Sequence, residues 1–71
     1  MERTPVQSSN ISSIGFDRGS STLEVQFLNG SIYQYFGVPE SVFDGLMNAP
    51  SKGTFLDRFV KKAGYSFVRI A

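Results

Sequence analysis

The sequence has 71 residues, a formal net charge of +1, and no Cys or His. A chain of this length forms one domain at most and buries only roughly 60% of the surface that its unfolded form exposes. Without Cys and His the chain lacks the usual thiol nucleophile, the commonest general base and most ligands of transition metals, so we predict no enzyme activity, no metal site and no cofactor.

The chain begins with a polar stretch. Residues 1–9 contain Pro5 and have no hydrophobic period, which predicts a flexible lead-in followed by a single domain over residues 10–71. Ile14 and Phe16 lie two residues apart and indicate a first strand, which ends at a run of turn-forming residues.

The next segment has the clearest strand pattern. Leu23, Val25 and Phe27 alternate with polar residues, which predicts a second strand with one apolar side. Asn29-Gly30 follows, and this pair favours a tight hairpin because both residues tolerate positive φ. The β-branched and aromatic residues of 31–36 then predict a third strand.

The length of this hairpin loop decides where two tyrosines point. A two-residue loop would turn Tyr33 and Tyr35 away from the apolar side of the second strand, leaving them exposed. A three-residue loop, with Ser31 added, would turn both tyrosines inward and send Gln34 and Phe36 outward. The sequence leaves both registers open, because Gln34 is unfavourable inside and Phe36 is unfavourable outside.

Two helices and a last strand follow. Pro39 suits the first position of a helix, whose apolar face comprises Val42, Phe43, Leu46 and Met47. Ser51 can cap a second helix that ends at Gly64, with an apolar stripe of Phe55, Leu56, Phe59, Val60 and Ala63. Residues 65–70 alternate like a closing strand. The predicted fold is α+β: a small antiparallel sheet in β-β-β-α-α-β order with two helices packed on one face.

The candidate functional residues are aromatic and basic. Arg58, Lys61 and Lys62 have the spacing of residues on one side of a helix. Glu40 and Asp44 are interpreted as compensating a helix dipole rather than as catalytic. The predicted nucleic-acid-binding residues are Tyr33, Tyr35, Lys52, Arg58, Lys61, Lys62 and Arg69.

The order of these segments resembles the KTSC domain, a module found at the C-terminus of some lysyl-tRNA synthetases and as a stand-alone bacterial protein. The matching residues are Ser12-Ser13-Ile14-Gly15-Phe16-Asp17, Leu23-Glu24-Val25-Gln26-Phe27, Gly30, Tyr33-Gln34-Tyr35, Val38-Pro39, Ala49-Pro50-Ser51-Lys52-Gly53, Phe55 and Arg69-Ile70. The resemblance implies no established catalytic residues. Its association with a synthetase suggests RNA binding.

Two functional hypotheses follow. In the first, the chain is an accessory module for RNA or another single-stranded nucleic acid, whose bases stack on Tyr33 and Tyr35 while the basic residues meet phosphates. In the alternative, it binds a protein through the sheet face or an edge strand. The lack of Cys, of a long apolar run and of a signal-peptide pattern predicts a cytoplasmic protein without a membrane partner.

Overall fold

An antiparallel sheet of five strands, arranged in the order of the chain, forms one layer of the molecule. The computed structural model describes residues 1–71. The strands are β1 (Thr4–Pro5), β2 (Ile11–Asp17), β3 (Thr22–Phe27), β4 (Ile32–Phe36) and β5 (Phe67–Arg69). The other layer consists of α1 (Glu40–Asn48) and α2 (Lys52–Leu56), and α2 continues into a π-helical turn, Asp57–Lys61. The predicted α+β class, with two helices on one face of an antiparallel sheet, is confirmed.

Strand β1 lies within the stretch predicted to be a flexible lead-in. Thr4 and Pro5 pair with Ile14 and Ser13 of β2, and Arg3 forms an ion pair with Glu24 of β3. A two-residue strand that contains Pro has no alternating pattern to detect. The sheet therefore has five strands where the sequence pattern indicated four.

The hairpin between β3 and β4 has a three-residue loop, Leu28–Gly30. The backbone N–H of Phe27 donates to the carbonyl of Ser31 at 2.9 Å, which closes the loop. Gly30 has a φ of 92°, and a left-handed residue at the end of a three-residue loop is what this hairpin class requires. The loop takes in Leu28 rather than Ser31, so its position differs from the predicted three-residue alternative while the inward direction of the tyrosines agrees with it.

The helices cover the side of the sheet that carries Leu23 and Val25. Val25 pairs with Tyr33, and Leu23 pairs with Tyr35, so both tyrosines also lie on the covered side because paired residues share a face. Nine buried hydrophobic residues form the core, namely Ile11, Ile14, Leu23, Val25, Tyr35, Val38, Leu46, Leu56 and Val60.

The second helix departs from its predicted form. Its capping by Ser51 is confirmed, since the Ser51 hydroxyl accepts from the backbone N–H of Thr54. After Leu56 the coil widens, and the N–H of Lys62 donates to the carbonyl of Asp57, five residues back, at 3.0 Å. The helix ends at Lys61, and Gly64, in the turn that follows, has a φ of 86°. Side-chain directions beyond Leu56 therefore do not follow the α-helical spacing used in the prediction.

The opposite face of the sheet carries a polar network centred on Glu24, which is only 4% exposed. Gln34 donates to the Glu24 carboxylate through Nε2 at 2.8 Å, and Arg3 both pairs with Glu24 and donates to Ser13. This network accounts for the outward direction of Gln34. Membrane crossing needs a longer and more apolar helix than any that this structure contains.

Candidate functional site

A groove of about 460 Å³ opens at the side of the molecule where the sheet meets the end of the helical layer. Its walls come from three separate parts of the chain: the β3–β4 hairpin, the π-helical turn and the closing segment. The lining residues are Phe27, Asn29, Ser31, Tyr33, Tyr35, Val60, Lys61, Tyr65 and Phe67. Five of these nine residues are aromatic, so the groove offers flat apolar surfaces to a ligand.

The two predicted tyrosines occupy different depths in this groove. Tyr35 is only 4% exposed and belongs to the hydrophobic core, whereas Tyr33 is half-buried. Their rings stack with centroids 6.4 Å apart. Burial, and secondarily the neighbouring Tyr33, raise the pKa of Tyr35 above its ordinary value of 10.0. Tyr35 therefore forms the wall of the groove, and Tyr33 is the more accessible ring.

Phe67 is the most exposed aromatic side chain of the groove, at 63%. It lies opposite Tyr35 in the pairing of β4 with β5, and its ring centroid is 6.2 Å from that of Tyr33 and 5.8 Å from that of Tyr35. Tyr33 also meets Phe27 edge-on, at 5.8 Å. These rings form one continuous aromatic cluster that is open to solvent at Phe67.

Lys61 provides the positive charge of the groove. Its Nζ lies 5.1 Å from the centroid of the Phe27 ring, a distance at which an ammonium group is attracted to the ring face. The ion pairs of the molecule join Arg3 with Glu24, Arg18 with Glu40 and Lys62 with Asp57. Lys61 belongs to none of them, and no carboxylate lines the groove.

Arg69 lies beside the groove without lining it. It is opposite Tyr33 in the β4–β5 pairing, so it shares the face of the sheet that carries the tyrosines. Its Nε donates to the backbone carbonyl of Ala71 at 2.9 Å. The structure thus brings together Tyr33, Tyr35 and Lys61 in one groove, with Arg69 next to them.

The other predicted basic residues lie elsewhere. Lys52 donates through Nζ to the carbonyl of Ala49 at 3.1 Å, and Lys62 forms its ion pair with Asp57 at 3.1 Å. Arg58 lines a second, shallower depression that does not include Lys61. Arg58 and Lys61 therefore line different depressions, in a segment where the π-helical turn changes the angular spacing of the residues.

Sequence reasoning missed most of the groove. Phe27, Tyr65 and Phe67 were assigned only to strands, Asn29 only to the hairpin turn, and Ser31 to the turn or the start of the third strand. The aromatic side chains of β3 and of the closing segment were visible in the sequence. These side chains meet because β5 pairs with β4 after the chain has formed both helices. No local sequence pattern specifies that pairing.

The two carboxylates on α1, which were predicted to be non-catalytic, are exposed and lie outside the groove. Glu40 accepts a hydrogen bond from Nε of Arg18 at 2.7 Å, in an exposed ion pair. Asp44 is exposed on the same helix, and its backbone carbonyl accepts from Asn48 at 2.8 Å. Neither carboxylate lines the groove.

Comparison with known proteins places the chain in a family. The family model of the KTSC domain matches residues 7–65. This chain belongs to the KTSC domain family. The crystal structure of a KTSC domain protein from Yersinia pestis is similar to it with a TM-score of 0.90 and 44% sequence identity, covering 99% of this chain and 97% of the other.

Two further relatives are similar to this chain. An uncharacterized protein of Stutzerimonas stutzeri is 37% identical over 70 residues, which cover 99% of both chains. A lysine–tRNA ligase of Nostoc punctiforme is 42% identical over 55 residues, which cover 78% of this chain. The matched segment is only 10% of that ligase, so the KTSC domain is similar to a small part of the larger protein.

Proposed function

We propose that this KTSC domain is a non-catalytic module that binds single-stranded RNA weakly, with nucleobases held in the aromatic groove. The observation that carries the proposal is the solvent-open cluster of Tyr33 and Phe67 next to the unpaired Lys61. Unstacked bases bind to aromatic side chains in single-strand-binding proteins, because every base has an apolar face that can stack.

The exposure of the rings assigns them different roles in this proposal. Phe67, at 63% exposed, and the half-buried Tyr33 are the stacking surfaces. Tyr35 supports them from below, because a side chain that is 4% exposed has little face left for a base. The initial hypothesis, with Tyr33 and Tyr35 as the stacking pair, is replaced here by Tyr33 and Phe67.

The charges near the groove are compatible with a polyanion. Lys61 lines the groove and Arg69 lies beside it, so a strand whose bases enter the groove would have its phosphates near both cations. The net charge of +1 provides no strong general attraction for nucleic acid. Binding is therefore expected to depend on the groove itself.

The occurrence of a similar segment within lysine–tRNA ligases supports RNA as the class of nucleic acid. The name of these ligases identifies tRNA as their substrate, and a module attached to such an enzyme would encounter RNA.

Binding of labelled single-stranded RNA to wild type, Phe67→Ala and Tyr33→Ala at low salt tests the proposal. We expect Phe67→Ala to weaken binding by about 1 to 3 kcal/mol, the range for loss of one stacked base. Phe36→Ala is the matched control, because Phe36 is 39% exposed and lies on the opposite face of the sheet. No binding by wild type, or equal losses in Phe67→Ala and Phe36→Ala, would contradict the proposal.

A protein partner is the second candidate. The observation that favours it is the edge strand β5, where Phe67 and Val68 are 63% and 43% exposed, followed by Ile70, which is 50% exposed. An extended peptide can add to such an edge by backbone hydrogen bonds. Pull-down with and without nuclease separates the candidates, since only a protein complex is retained after the RNA is degraded.

A further inference from the structure

The hairpin end of the groove differs from its aromatic end. Asn29 and Ser31 line it, together with Lys61 and Phe27. The side chain of Asn29 has a defined orientation, because its Oδ1 accepts from the backbone N–H of Ser31 at 3.0 Å and from the Ser31 hydroxyl at 2.7 Å. Only the oxygen of an amide can accept from an N–H, so the position of Nδ2 is fixed as well.

The polar atoms left for a ligand at this end are mainly donors. Nδ2 of Asn29 takes no part in these bonds, and Asn29 is exposed. Lys61 adds an ammonium group that has only donors. The remaining acceptors are weakly available: Oδ1 of Asn29 already accepts two bonds, and Ser31 is only 8% exposed. The tyrosine hydroxyls both donate and accept, so they do not discriminate.

We propose that Asn29 recognises the group at position 4 of a pyrimidine, so that single-stranded RNA carrying uracil binds more tightly than RNA carrying cytosine. This inference rests on the proposed function. At position 4, uracil has a carbonyl, which accepts a hydrogen bond, and cytosine has an amino group, which donates one, whereas both bases have an acceptor at position 2. A base held with position 4 toward Nδ2 of Asn29 therefore accepts a hydrogen bond from it only when the base is uracil.

The cost for cytosine comes from unpaired groups. Its amino group would face the Nδ2 of Asn29, leaving two donors opposite each other without an acceptor. The two pyrimidines have nearly the same size, so the shape of the groove does not separate them. The selectivity therefore depends on the direction of a hydrogen bond at one residue.

The test compares oligouridylate and oligocytidylate of equal length by fluorescence anisotropy at one low salt concentration. For wild type we expect oligouridylate to bind about fivefold more tightly, which equals about 1 kcal/mol at about 1.4 kcal/mol per tenfold and is typical of one hydrogen bond. In Asn29→Asp the oxygen that accepts from Ser31 is kept, while the free donor becomes an acceptor. We expect the ratio of the two affinities to fall to about one or to reverse in this variant.

Asn48→Asp is the control, because it adds the same charge on α1, where the Asn48 amide bonds only to the carbonyl of Asp44. We expect the added charge to weaken the binding of both oligonucleotides to the same extent, so the ratio of the two affinities stays unchanged. Equal binding of the two oligonucleotides to wild type overturns the selectivity while leaving the proposed function intact. A ratio that persists in Asn29→Asp overturns the role of Asn29. No binding of either oligonucleotide overturns the proposed function, and the selectivity with it.

Discussion

Glu24 is a buried carboxylate at the centre of the polar network on the face of the sheet opposite the helices. Burial by itself raises the pKa of Glu24, but the hydrogen bonds from Gln34 and Arg3, together with the charge of Arg3, lower it below the ordinary value of 4.5. The ionised form is therefore favoured by folding. Because Arg3 precedes β1, this interaction also ties the start of the chain to the centre of the sheet.

Replacement of Glu24 by Gln should lower the free energy of unfolding at pH 7 by about 1 to 3 kcal/mol, because Arg3 loses the charge of its partner in a buried setting. Glu40→Gln is the matched control. Its ion pair with Arg18 has side chains that are 46% and 71% exposed, and an exposed pair contributes about 0 to 1 kcal/mol. Denaturant unfolding of both variants measures the difference.

The contribution of Glu24 to the free energy of unfolding should depend on pH. A carboxylate whose pKa is lowered by folding stabilises the protein above the ordinary value of 4.5, and this contribution is lost as the pH falls through the lowered value. The difference in stability between wild type and Glu24→Gln should therefore shrink on acidification below about pH 4.5. A difference that is the same at pH 3 and pH 7 would show that the charge of Glu24 has no part in it.

Among the elements, α1 and α2 are joined by a close contact at Gly45. A Cβ at this position would lie 2.6 Å from Cζ of Phe55, and the Phe55 ring itself packs on Phe59 with centroids 4.6 Å apart. The sequence marks Gly45 as a weak point of the helix, since Gly is unfavourable in a helix interior. The structure gives it a packing role, because a Cβ at this position would force the Phe55 ring to shift.

The Gly45→Ala variant tests this packing role. Helix propensity alone predicts stabilisation by about 1 kcal/mol, whereas overpacking in a filled contact costs about 1 to 3 kcal/mol. We expect Gly45→Ala not to stabilise the wild-type protein. In the Phe55→Leu background, where the opposing side chain is smaller, we expect the same substitution to be stabilising. Thermal unfolding of the single and double variants measures the coupling, and additive effects would argue against the contact.

At the scale of the whole molecule, the fold separates the basic residues. The sequence places Lys52, Arg58, Lys61, Lys62 and Arg69 in the last third of the chain, as one positive stretch. In the folded protein only Lys61 lines the groove and only Arg69 lies beside it. The surface offered to RNA therefore carries two of these five charges.

The salt dependence of RNA binding measures how many of these basic residues contact the RNA. Each phosphate neutralised on a single strand contributes about −0.7 to the slope of log K against log salt, so two cations predict a slope of about −1.4, and all five would predict about −3.5. Lys61→Ala should make the slope shallower by about 0.7, and Lys62→Ala should leave it unchanged. Equal effects of the two variants would contradict the assignment of Lys61 to the binding surface.

The sequence by itself determined the local elements of this protein. The alternation of Leu23, Val25 and Phe27, the turn at Asn29-Gly30 and the cap at Ser51 each act over a few residues, and their outcomes follow from local conformational preferences. The family could also be identified at this level. The strand at Thr4–Pro5 could not, because it exists only through its pairing with β2.

The tertiary structure decided which residues meet. The two predicted hairpin registers differ by one residue, and the structure has neither of them, since its loop is Leu28–Gly30. The observed register depends on Gly30 ending a loop that begins at Leu28 and on the helices covering the face that carries the tyrosines. Likewise Phe67 reaches Tyr33 because β5 returns to pair with β4 after the helical layer. Contacts between distant parts of a chain are set by the packing of whole elements, and the candidate site consists of such contacts.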